Sequence, residues 1–246
     1  MPKVIRWFSN RYGVNLEEAE KEVEDYPSLA DFFVRDLKPG ARPISEGFVS
    51  PVDGRITEFG HIEDGKLLQV KGRHYLLKDL LKDEQMLERF SGGSFATIYL
   101  APPDYHQIHT PVSGVLSVAK HIPGKLWPVN DWSVNAIPNL FAVNERINLQ
   151  IESKDYGTVG LILVGATNVG SIRLKFDDLV SNDSPPLLFD TRSSQRREYQ
   201  KQVSKGESVA AFHMGSTVVL LLDESSCDKV SLLKPGRVKL GQTLFT

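Results

Sequence analysis

Over most of the chain, apolar residues come in short runs punctuated by Gly, Pro, Asn and Asp. KLLQV (66–70), FATIYL (95–100), INLQI (147–151), TVGLILV (158–164), SIRLKF (171–176) and STVVLLL (216–222) have the length and the β-branched or aromatic content of strands. The N-terminal part reads differently. Asn15 followed by Leu16, Glu17 and Glu18 is a helix cap with an acidic first turn, and Ser28 with Asp31 repeats the signal ahead of FFVRDL. Pro39-Gly40 then stops the second helix. Asp177 to Glu207 holds SNDSPP and then TRSSQRREYQK, loop chemistry followed by a charged piece of helical character, and reads as an insertion.

Two stretches echo each other. SPVDGRITEFGHI (50–62) and TPVSGVLSVAKHI (110–122) align without gaps and share Pro, Val, Gly, His and Ile. A Pro corner followed by Gly suits a tight turn feeding a strand, so both copies are expected to build similar turns. The expected class is α+β: mainly antiparallel β, with a barrel-sandwich-like core and N-terminal helices. Residues 1–45 form a helical segment packed on that core, and 46–246 form the β-rich domain. The echo also separates scaffold from chemistry, because Ser113 stands where Asp53 stands and the turn itself needs no carboxylate. Asp53 is thereby marked for another task, whereas the matched His61 and His121 are assigned packing or surface roles.

Composition adds bounds. A chain of 246 residues with 41% hydrophobic content can bury one large core, and a net charge of −2 gives no global attraction to nucleic acid. The single cysteine, Cys227, allows no intrachain disulfide and fits a reducing compartment. No apolar stretch reaches the roughly 18 residues of a membrane span, and MPKVIRWFSNRYG lacks the apolar stretch of a signal peptide.

Gly215-Ser216-Thr217, just ahead of VVLLL, is the candidate for chemistry. The serine hydroxyl lies next to a peptide carbonyl that no side chain shields, so attack on Gly215 can turn the amide into an ester. Elimination from that ester leaves dehydroalanine at 216, and hydrolysis of its imine tautomer gives a pyruvoyl ketone. The hydroxyl needs a base. His106 and His109, in PPDYHQIHTP, are the histidines available; His213 is nearer in sequence, but strand alternation puts residues three apart on opposite faces. Asp104 caps a turn, and zinc ligation by Asp104, His106 and His109 is disfavoured for want of further ligands, so no metal is expected.

FFVRDLKPGARPI, SPVDGRI, PPDYHQIHTPVSG, NLFAVNERI, ILVGATNVGSI and HMGSTVV occur in this order. Together they resemble phosphatidylserine decarboxylases, self-processing pyruvoyl enzymes that make phosphatidylethanolamine. The resemblance implies cleavage between Gly215 and Ser216, with Asp53 orienting the base His109, Ser216 as nucleophile and pyruvoyl precursor, and His106 as the acid–base group of decarboxylation. It further implies phosphatidylserine as substrate, an anionic membrane surface as partner, peripheral attachment on the cytoplasmic face, and two cleaved chains that stay associated, with a homodimer allowed. Methionine before the glycine and Trp127-Pro128 in GKLWPVN depart from many members. A pyruvoyl decarboxylase of another amino-acid-headed substrate, a non-cleaving β-rich binding protein and a serine hydrolase are the rival readings. Val4, Ile5, Trp7, Phe8, Trp127 and Trp132 are candidates to enter the lipid interface, packing in the core being the alternative for the aromatics and above all for Trp132.

Overall fold

The computed structural model describes residues 1–167, 171–181, 192–213 and 216–246. Helix α1 (Pro2–Tyr12) ends at Gly13, whose φ of 76° is left-handed and whose N–H caps the Ser9 carbonyl. It buries Ile5 and Phe8 against Val14, Val23, Tyr26, Phe32 and Phe33, a small core of its own, so these two pack inward and do not face the lipid interface as expected, whereas Val4 and Trp7 are exposed. Asn15 does cap, accepting the Glu17 N–H, but the element it starts is one 3-10 turn, Leu16–Glu18. Ser28 accepts the Asp31 N–H and opens α2 (Leu29–Phe33). This helix stops well short of Pro39, contrary to expectation. The following residues run extended because an earlier segment satisfies their backbone: Glu20 donates to Asp36, Lys38 donates to Glu18, and Ala19 bridges Leu37.

The remaining elements are β1 (Phe48–Val49), β2 (Gly54–His61), β3 (Lys66–Val70), β4 (Arg73–Leu76), α3 (Leu77–Leu81), α4 (Glu84–Phe90), β5 (Ser94–Leu100), β6 (Gln107–His109) and β7 (Gly114–Ile122). After these come α5 (Asp131–Ala136), α6 (Leu140–Val143), β8 (Arg146–Ser153), β9 (Gly157–Val164), β10 (Ile172–Leu174), β11 (Gln195–Val203), β12 (Ser208–Phe212), β13 (Ser216–Leu222), β14 (Gly236–Val238) and β15 (Thr243–Phe245). An eight-stranded sheet runs β11-β7-β8-β9-β13-β5-β2-β14, and smaller sheets are β10-β12-β6, β1-β15 and β3-β4. All named ladders are antiparallel, so the α+β class holds, and the large sheet ends in two edges without closing.

Strand β13 is buried at every position, which is why its sequence shows an apolar run and no alternation. Val218, Leu220 and Leu222 enter the larger core with Val52, Phe212 and Phe245. Val219 and Leu221 face a second core with Leu80, Phe90 and Phe141 from α3, α4 and α6. Between those helices lies Arg146, a fully buried guanidinium that donates to the carbonyls of Asp79, Leu80, Ala142 and Asn144 at 2.6–2.8 Å. It satisfies carbonyls at the C-terminal ends of α3 and α6, sharing that of Leu80 with Asn148 at 3.4 Å, and burial pulls its pKa down to about 10.

The piece QRREYQK, expected to be helical, is strand β11: it pairs along β7 at the sheet edge, with half-buried Arg197, Tyr199 and Lys201 alternating with exposed residues. An edge strand needs only one covered face, so charge on it obscures the period of two. The echoed glycines begin β2 and β7. A Cβ on Gly54 would lie 2.7 Å from the Tyr99 carbonyl, and one on Gly114 2.3 Å from that of Glu152, so close approach of a neighbouring strand demands glycine in both. Of the matched histidines, His61 is exposed and His121 is buried against Glu145 at 2.8 Å.

Candidate active site

Strand order brings the candidates to one end of the sheet. Leu100, the last residue of β5, pairs with Ser216, the first of β13, while Tyr99 pairs on the other side with Arg55, two residues after Asp53. The turn leaving β5 leads to His106 and β6. Strand β12, beside β6, ends at Phe212, whose N–H donates to the His106 carbonyl at 2.9 Å. Only residues 213–215 then separate this point from Ser216; Met214 and the predicted cleavage residue Gly215 lie outside the described residues.

Each histidine is held through Nδ1 by a backbone carbonyl: His106 by Asp104 and His109 by Gly206, both at 2.8 Å. A carbonyl can only accept, so Nδ1 carries the hydrogen and Nε2 keeps its lone pair in each ring. His106 is fully buried, its ring 4.2 Å from that of Phe33, and its Nε2 has no partner among the described residues. Burial pushes its pKa down to about 3, with the Arg35 charge acting in the same direction. Burial also lowers that of His109, whose Nε2 lies 3.3 Å from the Tyr105 hydroxyl. Both imidazoles are therefore neutral near pH 7, Nε2 of His106 without a partner among the described residues and Nε2 of His109 facing the Tyr105 hydroxyl.

Asp53 is gripped on both oxygens. Arg42 donates from Nε at 2.9 and 3.1 Å and from Nη2 at 2.5 Å, and the Leu240 N–H adds a bond of 2.8 Å. Arg42 also pairs with Glu18 at 2.9 Å, and these two carboxylates hold its pKa above the ordinary value despite burial. The Ser216 hydroxyl is fully buried with no partner among the described residues. No hydrogen bond among those residues joins Asp53 to His109, or His109 to Ser216. Asp104 does cap the turn, accepting the Ala101 N–H at 2.8 Å, and pairs with Arg237 at 2.5 Å.

Phe33, Arg35 and Arg42 escaped the sequence reading as site residues. All three stand in FFVRDLKPGARPI, but the stretch is neither helical nor regular beyond Phe33, so no spacing marked them. On the opposite face of β13, Thr217 lines a cavity of about 320 Å³ with Arg55, Thr97, Tyr99, Asp131 and Phe141.

The family model for phosphatidylserine decarboxylase matches residues 29–246, the whole of this architecture from α2 onward. The chain belongs to the phosphatidylserine decarboxylase family. It is 41% identical over 246 residues to the phosphatidylserine decarboxylase proenzyme of Anaeromyxobacter sp. (strain K), covering 98% of this chain and 85% of that one. The proenzyme of Myxococcus xanthus (strain DK1622) is 39% identical over 244 residues with the same coverage, and that of Shewanella sp. (strain ANA-3) 41% over 229. Membership makes the chain a carboxy-lyase of phospholipid biosynthesis.

Proposed function

We propose that this protein is a proenzyme that cuts itself between Gly215 and Ser216 and then converts phosphatidylserine into phosphatidylethanolamine and carbon dioxide. The observation that carries the reading is the Ser216 hydroxyl, buried and unpartnered at the head of a central strand. A buried polar group without a partner is disfavoured unless function keeps it. The same end of the sheet carries two neutral imidazoles whose Nε2 atoms keep their lone pairs, that of His106 unpartnered among the described residues and that of His109 against the Tyr105 hydroxyl, which supports a role in proton transfer.

His109 takes the proton of Ser216 through Nε2, and Oγ displaces the amide nitrogen from the Gly215 carbonyl to form an ester. Loss of the α-hydrogen of residue 216 expels Gly215 as a carboxylate; water then releases ammonia and leaves the pyruvoyl ketone. Tyr105 keeps Nε2 of His109 in register until substrate or Ser216 replaces it. Asp53, clamped by Arg42, supplies the negative charge that favours the imidazolium formed on His109, as the coulombic influence of Asp53 on that ring allows. The residues present fit this group, since Ser216 alone furnishes its atoms. The pyruvoyl group supplies a carbonyl that holds the substrate amine and accepts electrons as carbon dioxide leaves. The substrate carboxylate brings negative charge beside His106 and raises its pKa from about 3, so that Nε2, unpartnered in the resting state, can take up the proton the substrate ammonium sheds and return it to the α-carbon. Residues 1–45 serve as a segment docked on the domain 46–246. No helix among the described residues is long and apolar enough to cross a membrane; Trp7, Trp127 and Trp132 are 62%, 44% and 72% exposed and suit peripheral contact on the cytoplasmic face.

Intact mass spectrometry tests the proposal. Folded wild-type protein is expected to yield chains 1–215 and 216–246, the second with a ketone at its start, while Ser216→Ala stays whole. Wild type that remains one chain on prolonged incubation refutes it.

A further inference from the structure

The mechanism above leaves Arg35 without a task. The residue is 5% exposed, and among the described residues its Nη2 reaches only the Pro103 carbonyl, at 3.4 Å. Nε and Nη1 are buried with no partner among the described residues. Phe32 lies under the guanidinium, 5.0 Å from ring centroid to carbon. Asp53 and Glu18 attract the charge from a distance, but both are already held by Arg42, and no carboxylate among the described residues lies within ion-pair reach of Arg35. Arginine does not shed its proton under ordinary conditions, and a buried cation with unused donors is strongly unfavourable unless an anion joins it.

Position narrows the anion. Pro103, which Arg35 touches, precedes Asp104, whose carbonyl holds His106, and Phe33, two residues before Arg35, packs at a tilt against the His106 ring. We propose that Arg35 receives the phosphodiester of the phospholipid substrate. This rests on the decarboxylase reading. A phosphodiester fits better than the substrate carboxylate for an energetic reason. Pairing a guanidinium with the group about to leave as carbon dioxide would stabilise the ground state and lose that stabilisation in the transition state. The phosphodiester keeps its charge throughout, so binding it lowers KM without slowing chemistry. Guanidinium is also the side chain best matched to phosphate oxygens.

The test uses processed enzyme whose ketone has been reduced with borohydride, so that no covalent bond forms with an amine. Calorimetry then gives Kd for glycerophosphoserine, for glycerophosphoethanolamine, which lacks the carboxylate, and for O-methylserine, which lacks the phosphodiester. Arg35→Met is expected to weaken both phosphodiesters about 10–100-fold, the scale of charged hydrogen bonds, and to leave O-methylserine within a few-fold. Arg35→Lys should fall between, and in unreduced enzyme KM for phosphatidylserine should rise with little change in kcat. Weakening confined to the carboxylate-bearing ligands, unchanged affinities with a lowered Tm, or wild type that binds no phosphodiester would each overturn the proposal. Should Arg35→Met fail to fold or mature, Arg35→Lys decides by the same ligand comparison. Failure of the decarboxylase reading is distinguishable, since wild type would then show no ketone to reduce.

Discussion

Replacing Arg42 with methionine would remove three of the four hydrogen bonds that the described residues give the Asp53 carboxylate and leave among them only the Leu240 N–H. Both side chains are 8% exposed, so solvent screens the pair little. Breaking such a pair from one side typically costs about 3–5 kcal/mol, because the survivor is a buried charge without a counterion. Glu18 turns to water at small cost, being 26% exposed. Asp53→Asn should be milder: its side-chain oxygen still accepts from Leu240, and Arg42 keeps Glu18. In Arg42→Met/Asp53→Asn no charge is stranded, so the double variant should be more stable than the sum of the single effects by about 2 kcal/mol or more, a coupling in the range found for buried networks. Urea unfolding of the four chains in a Ser216→Ala background, which keeps each precursor whole, measures the cycle. Effects that add to within about 0.5 kcal/mol would refute the clamp.

His109→Ala and Asp53→Ala should block cleavage, whereas His106→Ala should mature and lose about 10²–10⁴-fold in decarboxylation; intact mass and carbon dioxide release check this, and equal loss of cleavage in both histidine variants rejects the division. His106 binds fewer protons folded than unfolded between about pH 3 and its ordinary 6.5. Stability should accordingly fall as pH drops through that window, this residue contributing up to about 1.4 kcal/mol per pH unit; urea titrations showing the same pH slope in His106→Asn would count against it. Arg146→Met should cost more than about 3 kcal/mol by taking the guanidinium donors from four carbonyls, of which only that of Leu80 keeps another side-chain donor, Asn148, among the described residues; this is read as a fall in Tm, and a change under about 1 kcal/mol would show that water replaces it. Vesicles rich in anionic lipid should pellet the protein at low salt and release it at high salt, less so after deletion of Met1 to Arg11; no pelleting at low salt, or release only by detergent, contradicts peripheral binding.

The strands that build the core were legible because burial on one or both faces writes itself into runs such as STVVLLL and INLQI. Strand β11 was not, since its ion pairs lie on the face a hydrophobic pattern would occupy; Arg197 contacts Asp177 and Asp178 there. Trp132 carries no mark of exposure in the sequence and proves the most open of the tryptophans. At the site, Ser216 and the histidines stood out by residue type, and the strand order sets the turn bearing Asp53 beside the end of β5 that pairs with Ser216. What fixes the histidine tautomers could not be read, because the partners are main-chain carbonyls, one of them Gly206 far along the chain. Arg42 was hidden for a related reason: its meaning depends on a carboxylate in the next turn and on a chain path that no periodicity announces.

Residues 216–246 supply β13, β14 and β15, and none of these pairs with another. β13 lies between β5 and β9, β14 on β2, and β15 on β1. A cut ahead of Ser216 thus converts a single polypeptide into an interlocked pair whose smaller member has no sheet of its own. Melting of the precursor is a first-order event indifferent to dilution. Melting of the cut protein is a dissociation, so its midpoint should drift downward as the solution is diluted, and separated chains must find one another before they can refold. Processing would then give a molecule assembled once, in its precursor form, and afterwards preserved by the slowness of its undoing.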